Sequence, residues 1–207
     1  MNVGVSGRSM APTLLALGVS IMATPASATV VVYNFDGFAD STSLTTLPVG
    51  LSFIHATVIK AGISLNEAEF PTRSGDGAVF DDGGAMSISF AAPVFSVGGY
   101  FTYVSGLSLS AYDSASNFLG TVTSTFLANT VSTPGSSQNE ALSFDSVSGA
   151  IARVVITGDP SGGSFVMDDL TVDNGNTVPE PQSLLLALAL LGAGCLPRGW
   201  MRQRSVV

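Results

Sequence analysis

The fold class of this chain is decided by two alternating stretches, Met86-Ser87-Ile88-Ser89-Phe90 and Leu107-Ser108-Leu109-Ser110-Ala111-Tyr112. In both, apolar and polar residues alternate with a period of two. This is the pattern of a β-strand that has one buried face and one face in water. The two stretches therefore predict strands of a half-buried sheet.

Similar strand-like segments continue on both sides of these two. They cover residues 30–35, 94–103, 118–124, 141–144, 151–157 and 164–172. No amphipathic helix is predicted between them, and at most a turn around 66–68 is helical. Asp113-Ser114-Ala115-Ser116-Asn117 predicts a hairpin connection, with Asp113 and Asn117 as turn residues rather than ligands. Short strands separated by Gly, Ser, Asn and Asp turns favour an all-β protein with a single β-sandwich domain.

The first 28 residues have the three parts of a secretory signal peptide. Arg8 supplies the positive charge, residues 14–22 are apolar, and Ala26-Ser27-Ala28 is a small-residue cleavage site. The alternative is a permanent anchor, but an apolar run of about nine residues followed by proline is too short to span a membrane. We expect signal peptidase to remove residues 1–28.

The C-terminal end also has three parts. Pro179-Glu180-Pro181 precedes an apolar run over 183–196, and Arg198, Arg202 and Arg204 follow it. At about 1.5 Å per residue the run reaches about 21 Å, which is short of the roughly 30 Å hydrocarbon core. The arginines nevertheless have the asymmetry expected of a cytoplasmic end.

This tail, residues 178–207, resembles the PEP-CTERM sorting signal of Gram-negative bacteria. In that family the tail is held in the inner membrane and removed by the transpeptidase exosortase during export. The resemblance implies an inner-membrane-anchored precursor and a mature form in the cell envelope or outside the cell. Pro197 and Gly199 depart from the family pattern because they interrupt the basic end. A plain C-terminal anchor and a core helix are the alternatives.

The exported part, residues 29–177, is strongly acidic. Lys60, Arg73 and Arg153 stand against fourteen Asp and Glu residues. Such a surface repels phosphate backbones, which excludes nucleic acid as a partner. It suits Ca²⁺, although a solubilising surface is the alternative explanation. The only cysteine, Cys195, lies in the tail, so this domain has no disulfide.

Three stretches in the second half of the domain, about residues 85–173, carry a second resemblance. They are Val97-Gly98-Gly99-Tyr100-Phe101, Leu109-Ser110-Ala111-Tyr112-Asp113 and Phe165-Val166-Met167-Asp168-Asp169-Leu170. Together they resemble the jelly-roll domains common among PEP-CTERM proteins, which are similar to galactose-binding-like and carbohydrate-binding modules. The resemblance implies a jelly-roll-like sandwich more firmly than it implies a ligand.

The residues do not predict catalysis. His55 is the only histidine, which excludes a His-rich zinc site, and no Gly-x-Ser-x-Gly elbow presents a nucleophile. We interpret His55 as a structural or surface residue. Asp81 and Asp82 are placed in a glycine-flanked loop. Asp168 and Asp169 are neighbours on a predicted strand, so their side chains should face opposite ways and cannot flank one glycosidic bond.

A structural Ca²⁺ is the cofactor that the acidic composition allows, and no cofactor is certain. Asp36 follows the first strand, and Asp168 and Asp169 lie near the end of the last. In a jelly roll these two strands can be neighbours, and galactose-binding-like modules, which this chain resembles, often hold a structural Ca²⁺ there. We therefore predict these three acids as metal ligands. A second acidic group comprises Asp76, Asp81 and Asp82.

Sugar binding would use aromatic rings as stacking platforms. The only tryptophan, Trp200, lies in the tail, so Tyr100 and Tyr103 are the predicted sugar contacts. Tyr100 and Phe101 are neighbours on one strand, and one of the two should belong to the core. An alternating aromatic in a sandwich is more often a packing residue than a platform.

We expect, from these observations, an exported non-enzymatic β-sandwich protein. Its tail would direct it through exosortase to the envelope or the extracellular polysaccharide matrix, where it would associate with glycan. The alternatives are a secreted carbohydrate-active enzyme and an ice- or ligand-binding surface protein.

Overall fold

The computed structural model describes residues 30–175, together with the backbone of 26–27 and 178–179. These residues form strands and turns without a helix, which confirms the predicted all-β class. Within them no helix is long and apolar enough to cross a membrane. Residues 1–25 of the predicted signal peptide and the predicted sorting helix lie outside the described residues.

The strands are short and closely spaced. In chain order they are β1 (Ala26–Ser27), β2 (Val30–Tyr33), β3 (Thr46–Leu47), β4 (Leu51–Ile54), β5 (Ala56–Lys60), β6 (Gly77–Asp81), β7 (Met86–Val94), β8 (Ser96–Tyr103), β9 (Ser108–Tyr112), β10 (Phe118–Thr123), β11 (Glu140–Asp145), β12 (Ile151–Thr157), β13 (Phe165–Asp173) and β14 (Val178–Pro179).

Two six-stranded antiparallel sheets make up the domain. The first sheet has the order β10-β9-β12-β7-β4-β3. The second sheet has the order β11-β8-β13-β6-β5, and β2 joins it by pairing with β13 beyond the end of β6. The first and last long strands are thus neighbours, as the sequence predicted for a jelly roll. The two-residue strands β1 and β14 pair with each other.

The core lies between the two sheets and follows the predicted alternation. Met86, Ile88 and Phe90 of β7 are buried, while Ser87 and Ser89 between them are half-exposed. This confirms that residues 86–90 have one buried face and one face in water. The rings of Phe101 and Phe165 meet edge to face at 6.0 Å in the second sheet's half of the core.

Strands β3 to β6 were not predicted as strands. The chain leaves the first sheet after β4 and enters the second sheet with β5, and His55 is the only residue between them. His55 turns this corner with a positive φ of 55°. Asp81 is the last residue of β6 and is fully buried, so its predicted place in a loop is wrong.

The predicted opposite orientation of Asp168 and Asp169 is also wrong. The register of β13 against β8 shifts between Asp168 and Thr171, and Asp169 has a φ of 48°. This β-bulge adds one residue to the strand and reverses the alternation. As a result both carboxylates lie on the outer face of the second sheet, where both accept hydrogen bonds from Ser74.

Candidate functional site

A second apolar cluster lies on the outer face of the second sheet, away from the main core. It forms because residues 61–76, which connect β5 to β6, fold back over the sheet. Leu65, Ala78 and Val166 are buried in it, and four partly buried residues pack against them: Ile59, Ala61, Phe70 and Phe80.

An open groove of about 470 Å³ runs beside this cluster. Its floor is apolar, with Phe80 and Val166 from neighbouring strands, and Phe70 comes from the covering loop. Its rim is polar. The lining residues are Ser41, Thr57, Ile59, Ser64, Leu65, Asn66, Phe70, Phe80, Gly163, Phe165 and Val166. An apolar floor with a few polar rim groups is the usual form of a small-molecule site.

Carboxylates lie directly behind the rim hydroxyls. Ser41 and Ser64 both donate to Asp40, Ser41 at 2.9 Å, and Thr57 donates to Asp82. The hydrogen bond from Ser64 is the largest cause that holds the pKa of Asp40 below its usual value, so Asp40 is ionised at neutral pH. The groove therefore has negative charge behind two sides of its rim.

The loop that covers the cluster is held by backbone hydrogen bonds to acids. Asp36 Oδ1 accepts from the N–H groups of Asp76 and Gly77, each at 2.9 Å. Lys60, whose side chain is nearly buried, donates to Asp76 Oδ1 at 2.6 Å and to the carbonyl of Asp36 at 2.7 Å. These contacts fix the end of the loop where it enters β6.

Asp168 holds the same loop from the other side. Its Oδ2 accepts from the N–H groups of Arg73 at 2.8 Å and Ser74 at 2.9 Å, and its Oδ1 accepts from the N–H of Asp169. Burial raises the pKa of Asp168 to about 6 in spite of these donors, and the nearby charge of Asp169 adds to the rise. The carboxylate is therefore a structural acceptor in a site that disfavours its charge.

The predicted metal ligands thus hold one loop from two neighbouring places: Asp36 from the turn after β2, and Asp168 and Asp169 from β13, which pairs with β2. Their oxygens accept backbone and hydroxyl donors. Within residues 30–175 no group of three or more His, Cys, Asp or Glu side chains is placed to hold a metal ion. Calcium binding at this place stays a prediction.

The second acidic group does not come together around one point, because its members have separate partners. Asp76 pairs with Lys60, and Asp82 accepts from Thr57. Asp81 accepts from the hydroxyl of Ser164 and from two backbone N–H groups at the start of β13. Burial raises the pKa of Asp81, although the hydrogen bonds oppose this effect.

The two tyrosines predicted as sugar contacts lie outside the groove. Tyr103 is fully buried in the core, where its hydroxyl donates to Glu140 and burial helps to raise its pKa to about 12. It is a core residue and offers no stacking face, which corrects the prediction. Tyr100 is half-exposed, and the guanidinium of Arg73 lies 4.7 Å from the centre of its ring. Phe101 is its buried neighbour, as expected.

His55 lies at the exposed corner between the two sheets. Its Nδ1 is 3.2 Å from the carbonyl oxygen of Ala85, and its own carbonyl accepts the N–H of Asp82. These contacts join the corner to the chain after β6. They fit the predicted structural role.

The groove was not predicted from the sequence. Successive side chains of a strand face opposite ways, so Phe80, which follows the core residue Val79 in β6, is expected on the outer face. Phe70 lies in a connection without periodicity. The only sign in the sequence that it packs against the sheet is that it is an aromatic residue in a mainly polar loop. This connection is held by residues distant in sequence: Ser132 donates to Glu69 beside Phe70, and the residues after Phe70 donate to Asp36 and Asp168.

Among known proteins, this protein is similar to solved structures. No family model matches the sequence, and no curated protein matches it. The K1 cleaved adhesin domain of Lys-gingipain from Porphyromonas gingivalis W83 is 14% identical with a TM-score of 0.42, over 70% of this chain and 97% of that one. The K2 cleaved adhesin domain of Lys-gingipain is 10% identical with a TM-score of 0.44, over 70% and 99%.

A mutant of a family 29 carbohydrate-binding module is also similar. It is 16% identical with a TM-score of 0.39, over 72% of this chain and 93% of that one. Because these TM-scores lie below 0.5, we infer neither family nor ligand from them.

Proposed function

We propose that this protein is an exported, non-enzymatic β-sandwich protein that binds glycan in the groove on the outer face of its second sheet. The observation that carries the proposal is the groove itself. Its volume of about 470 Å³ lies within the roughly 300–1,000 Å³ usual for small-molecule sites. Phe70 and Phe80 match the C–H face of a pyranose, and the rim hydroxyls match its hydroxyl groups.

The lining favours binding over hydrolysis. Among the lining residues there is no acid, base or histidine. Glycoside hydrolysis requires a pair of carboxyl groups on either side of the scissile bond. Asp40 and Asp82 lie behind the rim and already accept hydrogen bonds from the hydroxyls of Ser41, Ser64 and Thr57.

The destination of the protein follows from its two ends. The signal peptide would carry it across the inner membrane, and the tail with Pro179-Glu180-Pro181 would present it to exosortase. The mature protein then resides in the envelope or in the extracellular polysaccharide matrix, where glycan is abundant. The order of motif, apolar run and arginines supports this proposal.

A glycan array tests the binding function. We expect the purified mature protein to bind, and Phe70→Ala to lose most of the signal because a stacking ring is removed. Phe118→Ala is the matched control, since Phe118 is an exposed phenylalanine on β10 of the first sheet. Arrays with and without chelator separate calcium-dependent from direct binding. Equal binding by the two variants, or no binding by the wild type, would contradict the proposal.

A second candidate function has one observation in its favour. The outward positions of the first sheet carry mainly hydroxyl groups and no carboxylate, in spite of the acidic composition: Thr46, Ser52, Ser87, Ser89, Ser108, Ser110, Thr121, Thr123 and Thr157. A sheet face of this kind favours the ice- or ligand-binding alternative. Thermal hysteresis that is lost in Thr121→Lys would support it over the groove.

A further inference from the structure

We propose that the groove selects glycans with free amino groups, such as polymers of unacetylated glucosamine. This inference rests on the proposed glycan-binding function and names the ligand class of the same site. It follows from three features of the groove: the direction of its rim protons, the sign of the charge behind the rim and the nature of its floor.

The rim hydroxyls are oriented as acceptors toward the groove. A serine or threonine hydroxyl has one proton and two lone pairs. In Ser41, Ser64 and Thr57 that proton is donated outward, to Asp40 or Asp82. What each hydroxyl can still offer to a ligand is a lone pair. A ligand that fits this rim must therefore supply hydrogen-bond donors.

The charge behind the rim favours a cation. Asp40 accepts from the backbone N–H of Lys60 at 2.9 Å as well as from the two serines, and these bonds stabilise its ionised form. The charge of Lys60 also acts on Asp40, but it is the smallest of the causes that lower the pKa of Asp40, and the ammonium group is paired with Asp76. The field at the rim is therefore negative, which repels uronic acids and attracts an ammonium group.

The floor allows a sugar ring with an ammonium group to remain in place. Ile59, Phe80 and Val166 form an apolar surface for the C–H face of the ring. The half-exposed ring of Phe70 can also attract a cation through its π-face. An ammonium group provides three donors, whereas an N-acetyl group provides one donor and no charge.

Titration calorimetry with four hexamers tests the selectivity at low salt and about pH 6, where glucosamine is largely charged. The probes are hexamers of glucosamine, N-acetylglucosamine, glucose and galacturonic acid. We expect the glucosamine hexamer to bind at least about tenfold more tightly than the other three, with an affinity that falls as salt is raised.

Two variants locate the effect. Asp40→Asn removes the charge, and Thr57→Val removes one rim acceptor without changing the shape of the side chain. Both should weaken glucosamine binding several-fold or more. Asp40→Asn should weaken binding of the acetylated hexamer much less, whereas Thr57→Val should weaken binding of both hexamers because the acceptor also serves sugar hydroxyl groups. Asp145→Asn is the matched control, because it removes the same charge at an exposed position at the end of β11. Melting curves confirm that each variant is folded.

The outcomes separate the inference from the proposed function. Equal or tighter binding of the glucose or acetylated hexamer would overturn the inference and retain glycan binding. Failure of all four hexamers would overturn both. Glucosamine binding that Asp40→Asn and Asp145→Asn reduce equally, or a lysine hexamer that binds as tightly, would show general attraction to an acidic protein and would also overturn the inference.

Discussion

The buried carboxylate of Asp81 accepts hydrogen bonds from both the backbone N–H and the hydroxyl of Ser164, each at 2.8 Å. The two residues are 83 positions apart in the chain. Their contact joins the end of β6 to the start of β13. It also fixes the turn before β13, because the N–H of Gly163 donates to the carbonyl of Asp81 at 2.6 Å. Gly163 lines the groove, so this contact positions one of its edges.

Removal of the Asp81 carboxylate should destabilise the domain. In Asp81→Ala, two buried backbone N–H groups and the hydroxyl of Ser164 lose their acceptor. We expect a loss of about 3 kcal/mol in the free energy of unfolding, measured by urea titration. Asp145→Ala at an exposed site should change it by less than about 0.5 kcal/mol. Equal effects of the two substitutions would contradict the structural role of Asp81.

Asp168 should give the domain an unusual dependence on pH. Its pKa in the folded protein, about 6, lies above the ordinary value of 3.8, with Asp169 and Arg73 as its charged neighbours. The folded state therefore takes up this proton first as pH falls. The contribution of the group to stability is complete below about pH 4 and is lost as pH rises through about 6.

Asp168→Asn isolates this contribution. The free energy of unfolding of the wild type, relative to that of the variant, should increase as pH is lowered from about 7 to about 4 and be constant above about 7.5. Asp81, whose pKa is also raised, is present in both proteins and cancels. Urea titrations at several pH values measure the difference, and a difference independent of pH would refute the assignment.

The fold was predictable wherever one strand keeps its alternation from end to end. β9 lies within one residue of its predicted bounds because Leu109 and Ala111 face the core, whereas Ser108, Ser110 and Tyr112 do not. β4 and β5 were missed because His55 shifts the alternation between them by one residue. Leu51 and Phe53 face the core before this corner, and alternate residues from Ala56 onward face it afterwards.

The candidate site was not predictable from local pattern. Its residue Phe70 lies in a connection whose Glu69, Arg73 and Asp76 bond to Ser132, Asp168 and Asp36, which are 63, 95 and 40 residues away from them along the chain. The β-bulge that turns Asp168 and Asp169 to the same face has no signal in the period of β13 either. Contacts of this kind depend on tertiary structure, which overrides local alternation.

The bulge itself can be tested at Asp169. A φ of 48° is open to glycine and disfavoured for a β-branched residue. Asp169→Val should therefore destabilise the domain by about 1–2 kcal/mol more than Asp169→Gly does. Both variants lose the hydrogen bond from Ser74, so the comparison isolates the backbone. Equal stabilities in urea would argue against the left-handed conformation.

Calcium binding by Asp36, Asp168 and Asp169 is tested by melting the domain in millimolar Ca²⁺ and in chelator. The sequence-based prediction is a higher Tm with the ion, since a hundredfold excess over Kd adds about 2.7 kcal/mol. For a domain of this size that is a shift of several degrees. Superimposable curves would show that these acids act through the loop alone.

Processing at both ends is tested by intact-mass analysis of envelope material. We expect a mature protein that begins at Thr29 and lacks the residues beyond Pro179-Glu180-Pro181. Cells without exosortase should retain the arginine-containing end. Retention of that end in cells with active exosortase would contradict the sorting prediction.

The pairing of Val30 with Asp173 brings both ends of the domain to one end of β13. Gly163 and Val166 of the groove lie at the other end of that strand. A molecule tethered at its C-terminal end and holding a polymer in the groove is therefore loaded along β13. Force in this direction acts on the contacts that join β13 to β6 of the groove, which are the pairing of Val166 and Met167 with β6 and the hydrogen bonds of Asp81 with Ser164 and Phe165. The buried carboxylate of Asp81 thus lies on the line along which a polymer bound in the groove would pull.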